Sequence, residues 1–180
     1  MRLDYRTKED GGKKKVTIRN ATKSDIPTLI ENMQRAAGEM TRIKPGVIEE
    51  HKRRLDMIIE DNGRKVLCAV AELGGKLVGS LTLERDMDVK NSDHVRHLDM
   101  LVIQEQRRIG IGTALMDYAI KWSTDNKYVE KITLEVYSNN QAAIGLCKKF
   151  GFEVEGIRKK QFIISPGRYA DEFDMGLFIK

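Results

Sequence analysis

In the stretch QRRIGIGTALMDYAIKW, Gln106–Trp122, two glycines stand two apart, with Arg107 and Arg108 just before them and an apolar helical repeat after. The first turn of a helix leaves backbone N–H groups without intrahelical partners, and these carry partial positive charge. Gly110 and Gly112 remove Cβ atoms where a ligand would approach and permit unusual φ values. With two guanidinium groups added, the stretch predicts an anion site whose obvious guest is phosphate or pyrophosphate. A dinucleotide fingerprint needs a third glycine where this chain has Leu115, and no GK[ST] of a P-loop is present, so both are disfavoured. A bare GxG at a helix start is equally compatible with a tight turn flanked by exposed arginines.

Other chemistry is thinly supplied. Cys68 and Cys147 are far apart and make no CxxC pair or metal spacing with the three histidines. His94 and His97 fall in a strand-like run, where a separation of three points them to opposite faces. No metal site is expected. The net charge of +5 leaves attraction to nucleic acid or an anionic ligand open without deciding between them, and a nucleic-acid partner is disfavoured. The start, MRLDYRTKEDGGKKK, lacks the apolar stretch of a signal peptide, and no apolar run is long enough to span a membrane. The expectation is a cytoplasmic protein with no membrane partner: residues 1–15 form a flexible basic tail, and residues 16–180 a single domain.

The elements that must position the glycine stretch follow from periodicity. Val16–Ala21 alternates as a strand. A helix capped by Ser24, with Pro27 in its first turn, carries Ile26, Leu29, Ile30 and Met33 on one stripe. After Thr41–Gly46 a second helix places Val47, Ile48, His51, Leu55 and Ile58 together, and Asp61–Gly63 ends it. Two β-rich runs joined by Gly74-Gly75 predict a hairpin. His94–Ile103 is a third run of this kind, leading into the glycines and their helix; Lys131–Tyr137 is the next strand, followed by a short helix that Gly151 stops. Two more strands flank SPGRYADE. The order β-α-α-β-β-β-α-β-α-β-β predicts an α/β (α+β) fold, a mixed central sheet flanked by about four helices.

RRIGIG fits an [RQ]xxGx[GA] signature beginning at Arg107, after a strand ending LDMLVI, and LEVYSNNQAAIGLCKKFGF follows one helix later. The second stretch matches LxVxxxNxxAixLYxKxGF at Leu134, Val136, Asn140, Ala143, Ile144, Leu146, Lys149, Gly151 and Phe152. The arrangement resembles the GNAT superfamily of N-acetyltransferases, well over residues 65–180, and over 16–60 more in element order than in residues. The resemblance implies acetyl-CoA as co-substrate. It implies that the N–H groups of Arg108, Ile109, Gly110, Ile111, Gly112 and Thr113 surround the pyrophosphate, with Arg107 as a further cofactor-binding residue. It places the strand edge Met100, Leu101 and Val102 beside the pantetheine arm, with Asn140 as a cofactor contact that is also suited to cap its helix.

Acetyl transfer to a primary amine requires removal of a proton from the amine, donors for the oxyanion, and a proton for the leaving thiolate. Glu135, Asp99 and Glu84 are the candidate bases. Glu135 occupies the glutamate that acts as base in ribosomal-protein alanine acetyltransferases of this superfamily. Asp99 would act through water, and Glu84 shares a strand face with Ser80 and Thr82. The implied oxyanion donor is a backbone N–H near Leu101 or Val102. The family's tyrosine acid falls at Cys147, which is either a thiol proton donor or an apolar filler beside Ala143 and Phe150; Tyr137 is a substitute acid. Thr41–Gly46, with Arg42 and Lys44, and Ser165–Glu172, with Arg168, Asp171 and Glu172, would line the acceptor. Polyamine, amino acid and peptide amines all remain open, as does a non-catalytic acyl-CoA-binding or regulatory module. Family habit suggests a homodimer.

Overall fold

The alternating apolar runs assemble into one sheet of eight strands. The computed structural model describes residues 1–7, 14–38, 45–85 and 91–179. In chain order the elements are β1 (Arg2–Arg6), β2 (Lys15–Asn20), α1 (Ile26–Gly38), α2 (Pro45–Glu60), β3 (Leu67–Leu73), β4 (Lys76–Glu84), β5 (Val95–Val102), α3 (Ile111–Asp125), β6 (Lys131–Tyr137), α4 (Gln141–Lys149), β7 (Glu153–Ser165) and β8 (Arg168–Phe178). The strand order is β1-β2-β3-β4-β5-β6-β8-β7, and every neighbouring pair is antiparallel except β5 and β6. This is the mixed sheet with four helices that the periodicity predicts.

Period-two alternation sorts the strand side chains between two faces. Leu67, Ala69, Leu81, Leu83, Leu98, Ile132 and Leu134 are buried with Ile111, Leu115, Ala119 and Trp122 of α3 and with Ile144 of α4. Cys68 and Val70 point the other way and meet Ile26 and Leu29 of α1 and Leu55 and Ile58 of α2. Each large apolar side chain so buried contributes about 1.5–3 kcal/mol. Among the described residues, no helix is long and apolar enough to cross a membrane.

Two departures from the sequence expectation matter later. Residues 2–6, read as part of a flexible tail, form β1, which pairs with β2 in the register Arg2↔Arg19 to Arg6↔Lys15. Leu3 and Tyr5 pack against the core, while Asp4 bonds the Thr17 hydroxyl at 2.7 Å and Lys15 at 2.8 Å. The Leu3/Tyr5 alternation was present in the sequence but hidden by the surrounding charge, which suits an edge strand. The start of α1 also differs. Asp25, rather than Ser24, fixes it by accepting the Thr22 N–H at 2.8 Å within a short 3-10 turn, Lys23–Asp25. The Arg19 guanidinium, 2.7 and 3.0 Å away, and the Thr22 N–H hold the Asp25 carboxyl below its usual range against the opposing effect of burial.

The pairing of β5 and β6 is short. It covers Val95↔Lys131, Arg96↔Ile132 and His97↔Thr133, then stops, while β5 continues with β4 to Val102 and β6 with β8 to Tyr137. A wedge therefore opens between the C-terminal halves of β5 and β6. Ile103 N–H donates to Val78 O at 3.0 Å, so the alternation of the strand turns the Leu101 N–H toward β4. The N–H groups of Met100 and Val102 face the wedge.

Candidate active site

Two cavities flank the splayed half of β5, one on each face of the sheet. The larger, about 840 Å³, runs along α3 and α4, and every predicted cofactor residue except Leu101 lines it. The smaller, about 260 Å³, lies under α1 and α2 and is lined by Leu29, Met33, His51, Arg54, Leu55, Ile58, Cys68, Ser80, Thr82, Glu84, Asp99, Met100 and Leu101. Met100 lines both cavities.

The groove on the α3 side is built mostly by backbone. Gly110 is the N-cap of α3 with φ +100°, and no side chain caps that helix end. A Cβ at Gly110 would meet nothing within 4 Å, so glycine is required there for conformation and leaves open space in front of the first turn. Gly112 serves differently from the sequence expectation: its missing Cβ would stand 3.2 Å from Leu146 Cδ2 and 3.6 Å from Met100 Sδ. It permits α3 to approach α4 and β5, and Gly112 still lines the groove. Arg108 also has positive φ, +69°. Arg107 Nε donates to Val102 O at 2.9 Å, tying the loop to the end of β5. Asn140 caps α4 as expected, its Oδ1 accepting Ala143 N–H at 3.1 Å, and it also faces the groove.

The pocket on the α1/α2 side is built by side chains. Of the three candidate bases, Glu84 and Asp99 line it and Glu135 does not. Glu84 is engaged by Arg54 of α2, with Nε 2.9 Å and Nη2 2.8 Å from its two oxygens. The Asp99 side chain is 66% exposed, and its Oδ1 lies 3.8 Å from His97 Nε2. His97 Nε2 is 3.2 Å from Glu135 Oε2, and Glu135 Oε1 is 3.4 Å from Arg158 Nη2. His97 thus stands between two candidate bases. The sequence reading passed over it because it was considered only as a metal ligand paired with His94, which lies just outside β5. The signal was there: His97, Asp99 and Leu101 share one strand face. Arg158, also missed, reaches Glu172 at 3.1 Å and Asp174 at 2.5 Å from the neighbouring hairpin.

The candidate acids separate clearly. Cys147 is buried in the core beneath α4 and does not line the groove, and burial pushes its thiol up to about 11. Its surroundings are those of a small apolar side chain packed in the core. Its carbonyl accepts the Phe152 N–H at 3.1 Å, while Gly151 N–H donates to Lys148 O at 3.1 Å, the pattern that ends a helix at a left-handed glycine. Tyr137 stands at the end of β6 on the pocket's face of the sheet, its ring 4.0 Å from that of Phe162. Burial, then the nearby Glu172 carboxylate, raise its phenol above the ordinary value, so it keeps its proton at neutral pH.

Of the predicted acceptor loops, residues 41–44, including Arg42 and Lys44, lie outside the described residues. The other loop is occupied structurally. Asp171 accepts the Lys160 N–H at 2.8 Å at a left-handed kink in β7, and Glu172 is buried under Arg158. Neither these two nor Arg168 lines the pocket.

The fold recurs in solved structures. A ribosomal-protein-alanine N-acetyltransferase from Brucella melitensis superposes with a TM-score of 0.75 at 25% identity, over 89% of this chain and 98% of that one. The yncA protein of Salmonella typhimurium, solved with its cofactor acetyl-CoA, gives 0.77 at 18% identity, over 92% and 94%. Among curated relatives, the L-amino acid N-acetyltransferase AaaT of Escherichia coli is 34% identical over 106 residues, 59% of this chain. The match spans 64% of that relative's length. A family model described as the acetyltransferase (GNAT) family matches residues 31–152, more than half of the chain, and with the wedge, the groove and the glycine-capped α3 it shows that the chain belongs to that family.

Proposed function

We propose that the chain is an N-acetyltransferase that moves an acetyl group directly from acetyl-CoA to the α-amine of an amino acid or of a peptide N-terminus. The observation that carries this reading is the meeting of two cavities at Met100, where β5 separates from β6. A donor in one cavity and an amine in the other would reach each other only through the wedge.

The groove fits a pyrophosphate-bearing thioester on its own chemistry. The uncapped first turn of α3 offers N–H groups to phosphate oxygens, and Arg107 and Arg108 add charge. The backbone of Met100 and Val102 gives the pantetheine amides a strand edge. When bound, acetyl-CoA supplies the activated acetyl group, and the chain's residues do the rest. The alternation along β5 makes the Val102 or Met100 N–H, not that of Leu101, the donor to the carbonyl oxygen as charge develops there. Asp99 is the assigned proton acceptor, because Glu84 is already held by Arg54, and Glu135 by His97 and Arg158. His97 links Asp99 to Glu135 and offers the proton a way out. Tyr137 lines neither cavity, but it stands at the end of β6, which borders the wedge, and its phenol keeps its proton, so it is the donor we assign to the leaving thiolate.

The acceptor class follows from size and lining. About 260 Å³ is at the small end for ligand pockets, and Leu29, Met33, Leu55 and Ile58 give it an apolar wall. One amino-acid residue fits that description better than a long polyamine. Both an amino-acid and a ribosomal-protein-alanine acetyltransferase appear among the similar proteins, and both names imply α-amine acceptors. Release of free CoA thiol, measured against amino acids, short peptides with free N-termini and spermidine, tests the reading. Turnover confined to α-amines supports it. Turnover with spermidine alone overturns the acceptor class, and CoA binding with no turnover on any amine favours an acyl-CoA-binding module.

A further inference from the structure

β1 carries two residues to the cofactor groove, where Tyr5 and Arg6 line the wall together with Arg108, Thr113 and Lys149. The strand is fastened in place from α3. The Tyr5 hydroxyl donates to Asp117 Oδ2 at 2.7 Å, Lys121 Nζ stands 2.9 Å from the same oxygen, and the Tyr118 hydroxyl lies 2.5 Å from Met1 O. Burial opposes charge on Asp117, yet Lys121 and Tyr5 hold its carboxyl below the ordinary range. The one acidic residue among those lining the groove is therefore already matched by a cation. Arg6 is exposed and has no ion pair or hydrogen bond among the described residues.

The groove holds more cationic charge than a pyrophosphate uses. Arg107, Arg108 and the first turn of α3 face the loop; Arg6 and Lys149 come from separate elements, β1 and α4. Coenzyme A carries one further anionic group, the phosphomonoester on its ribose 3′ oxygen. We infer that Arg6, brought to the groove by β1, contacts this 3′-phosphomonoester and makes β1 an element of cofactor specificity. The inference rests on the acetyl-CoA reading above. A guanidinium is well suited to the task, because its planar donors match a phosphate in two-point contact.

Calorimetric titration of the full chain with CoA and with 3′-dephospho-CoA, for wild type, Arg6→Ala and Arg6→Lys, tests the inference. Wild type is expected to prefer CoA by about tenfold, the size of one charge-assisted hydrogen bond. Arg6→Ala should lose that preference while binding dephospho-CoA as wild type does, and Arg6→Lys should recover part of it. Arg6 is exposed, so an unchanged thermal unfolding midpoint is expected to accompany each substitution. Equal binding of the two ligands by wild type, or an undiminished preference in Arg6→Ala, overturns the inference while leaving the acetyl-CoA reading intact. Failure of wild type to bind either ligand overturns that reading itself.

Discussion

The two cavities on either side of β5 are made in opposite ways. The groove under α3 is centred on a local structure: Arg107 to Thr113 are consecutive and form its floor, with β1, β5 and α4 adding walls. The pocket under α1 and α2 draws Leu29, Arg54, Glu84 and Asp99 from four elements, and its chemistry lies entirely in side chains. A backbone site tolerates changes in side-chain identity and fails when the backbone cannot take its shape or when the space in front of it is filled. A side-chain site fails one functional group at a time.

The largest expected effect breaks the groove. Gly110→Glu places a carboxylate on a residue with φ +100° in the open space before the first turn of α3. Both the backbone strain and the like charge oppose a pyrophosphate, and CoA affinity should fall more than about 100-fold, since several charge-assisted contacts are lost together. Calorimetry with CoA measures it. Affinity equal to wild type would remove the loop from the cofactor site. Gly112→Ala is the internal control. Its methyl presses on Leu146 at 3.2 Å, so the change should appear as lost stability, with CoA affinity close to wild type.

The same contrast explains how much was legible in the sequence. The glycine loop of the groove was readable because its residues are adjacent in the chain, as RRIGIG after one strand and before one helix; the walls that β1 and α4 add were not. The helices and most strands were readable from periodicity for the same reason. β1 was not, because its five residues are mostly charged and only pairing with β2 and packing of Leu3 and Tyr5 make it a strand. The pocket was partly readable. Three carboxylates could be named, but not their partners: Arg54 lies 30 residues from Glu84 and Arg158 lies 23 from Glu135, separations over which pattern carries no information. His97 needed the parallel register of β5 against β6 before its position between Asp99 and Glu135 had meaning.

Next in size come the carboxylates in and beside the pocket, where the contrast can be sharpened. Asp99→Asn should lower kcat by at least about 100-fold, the usual contribution of a general base, with CoA affinity unchanged. Glu135→Gln should cost less, about tenfold, because Glu135 acts through His97 instead of touching the amine. His97→Gln should resemble Glu135→Gln, and adding Glu135→Gln to it should cost little more, as expected when two residues act as one unit. A larger loss in Glu135→Gln than in Asp99→Asn would transfer the base assignment to Glu135 and make Asp99 the relay.

The smallest effect is expected at Cys147, where the motif puts a tyrosine. The thiol is buried in the core, lies outside the groove, and keeps its proton until about pH 11. A group that does not face the leaving sulfur has no path along which to deliver a proton. Cys147→Ala should therefore leave kcat within about twofold of wild type and cost about 1 kcal/mol of stability, the scale for removing one small buried group. The two readouts separate the roles: thermal unfolding reports the filler, and kcat reports the acid. A loss of kcat beyond tenfold at an unchanged unfolding midpoint would require Cys147 to reach the groove in the ligand-bound protein. Tyr137→Phe should show the reverse pattern. Its ring contact with Phe162 survives while the hydroxyl is lost, so stability should hold and kcat should fall by about tenfold, with the deficit greatest for the thioester with the most basic leaving thiolate.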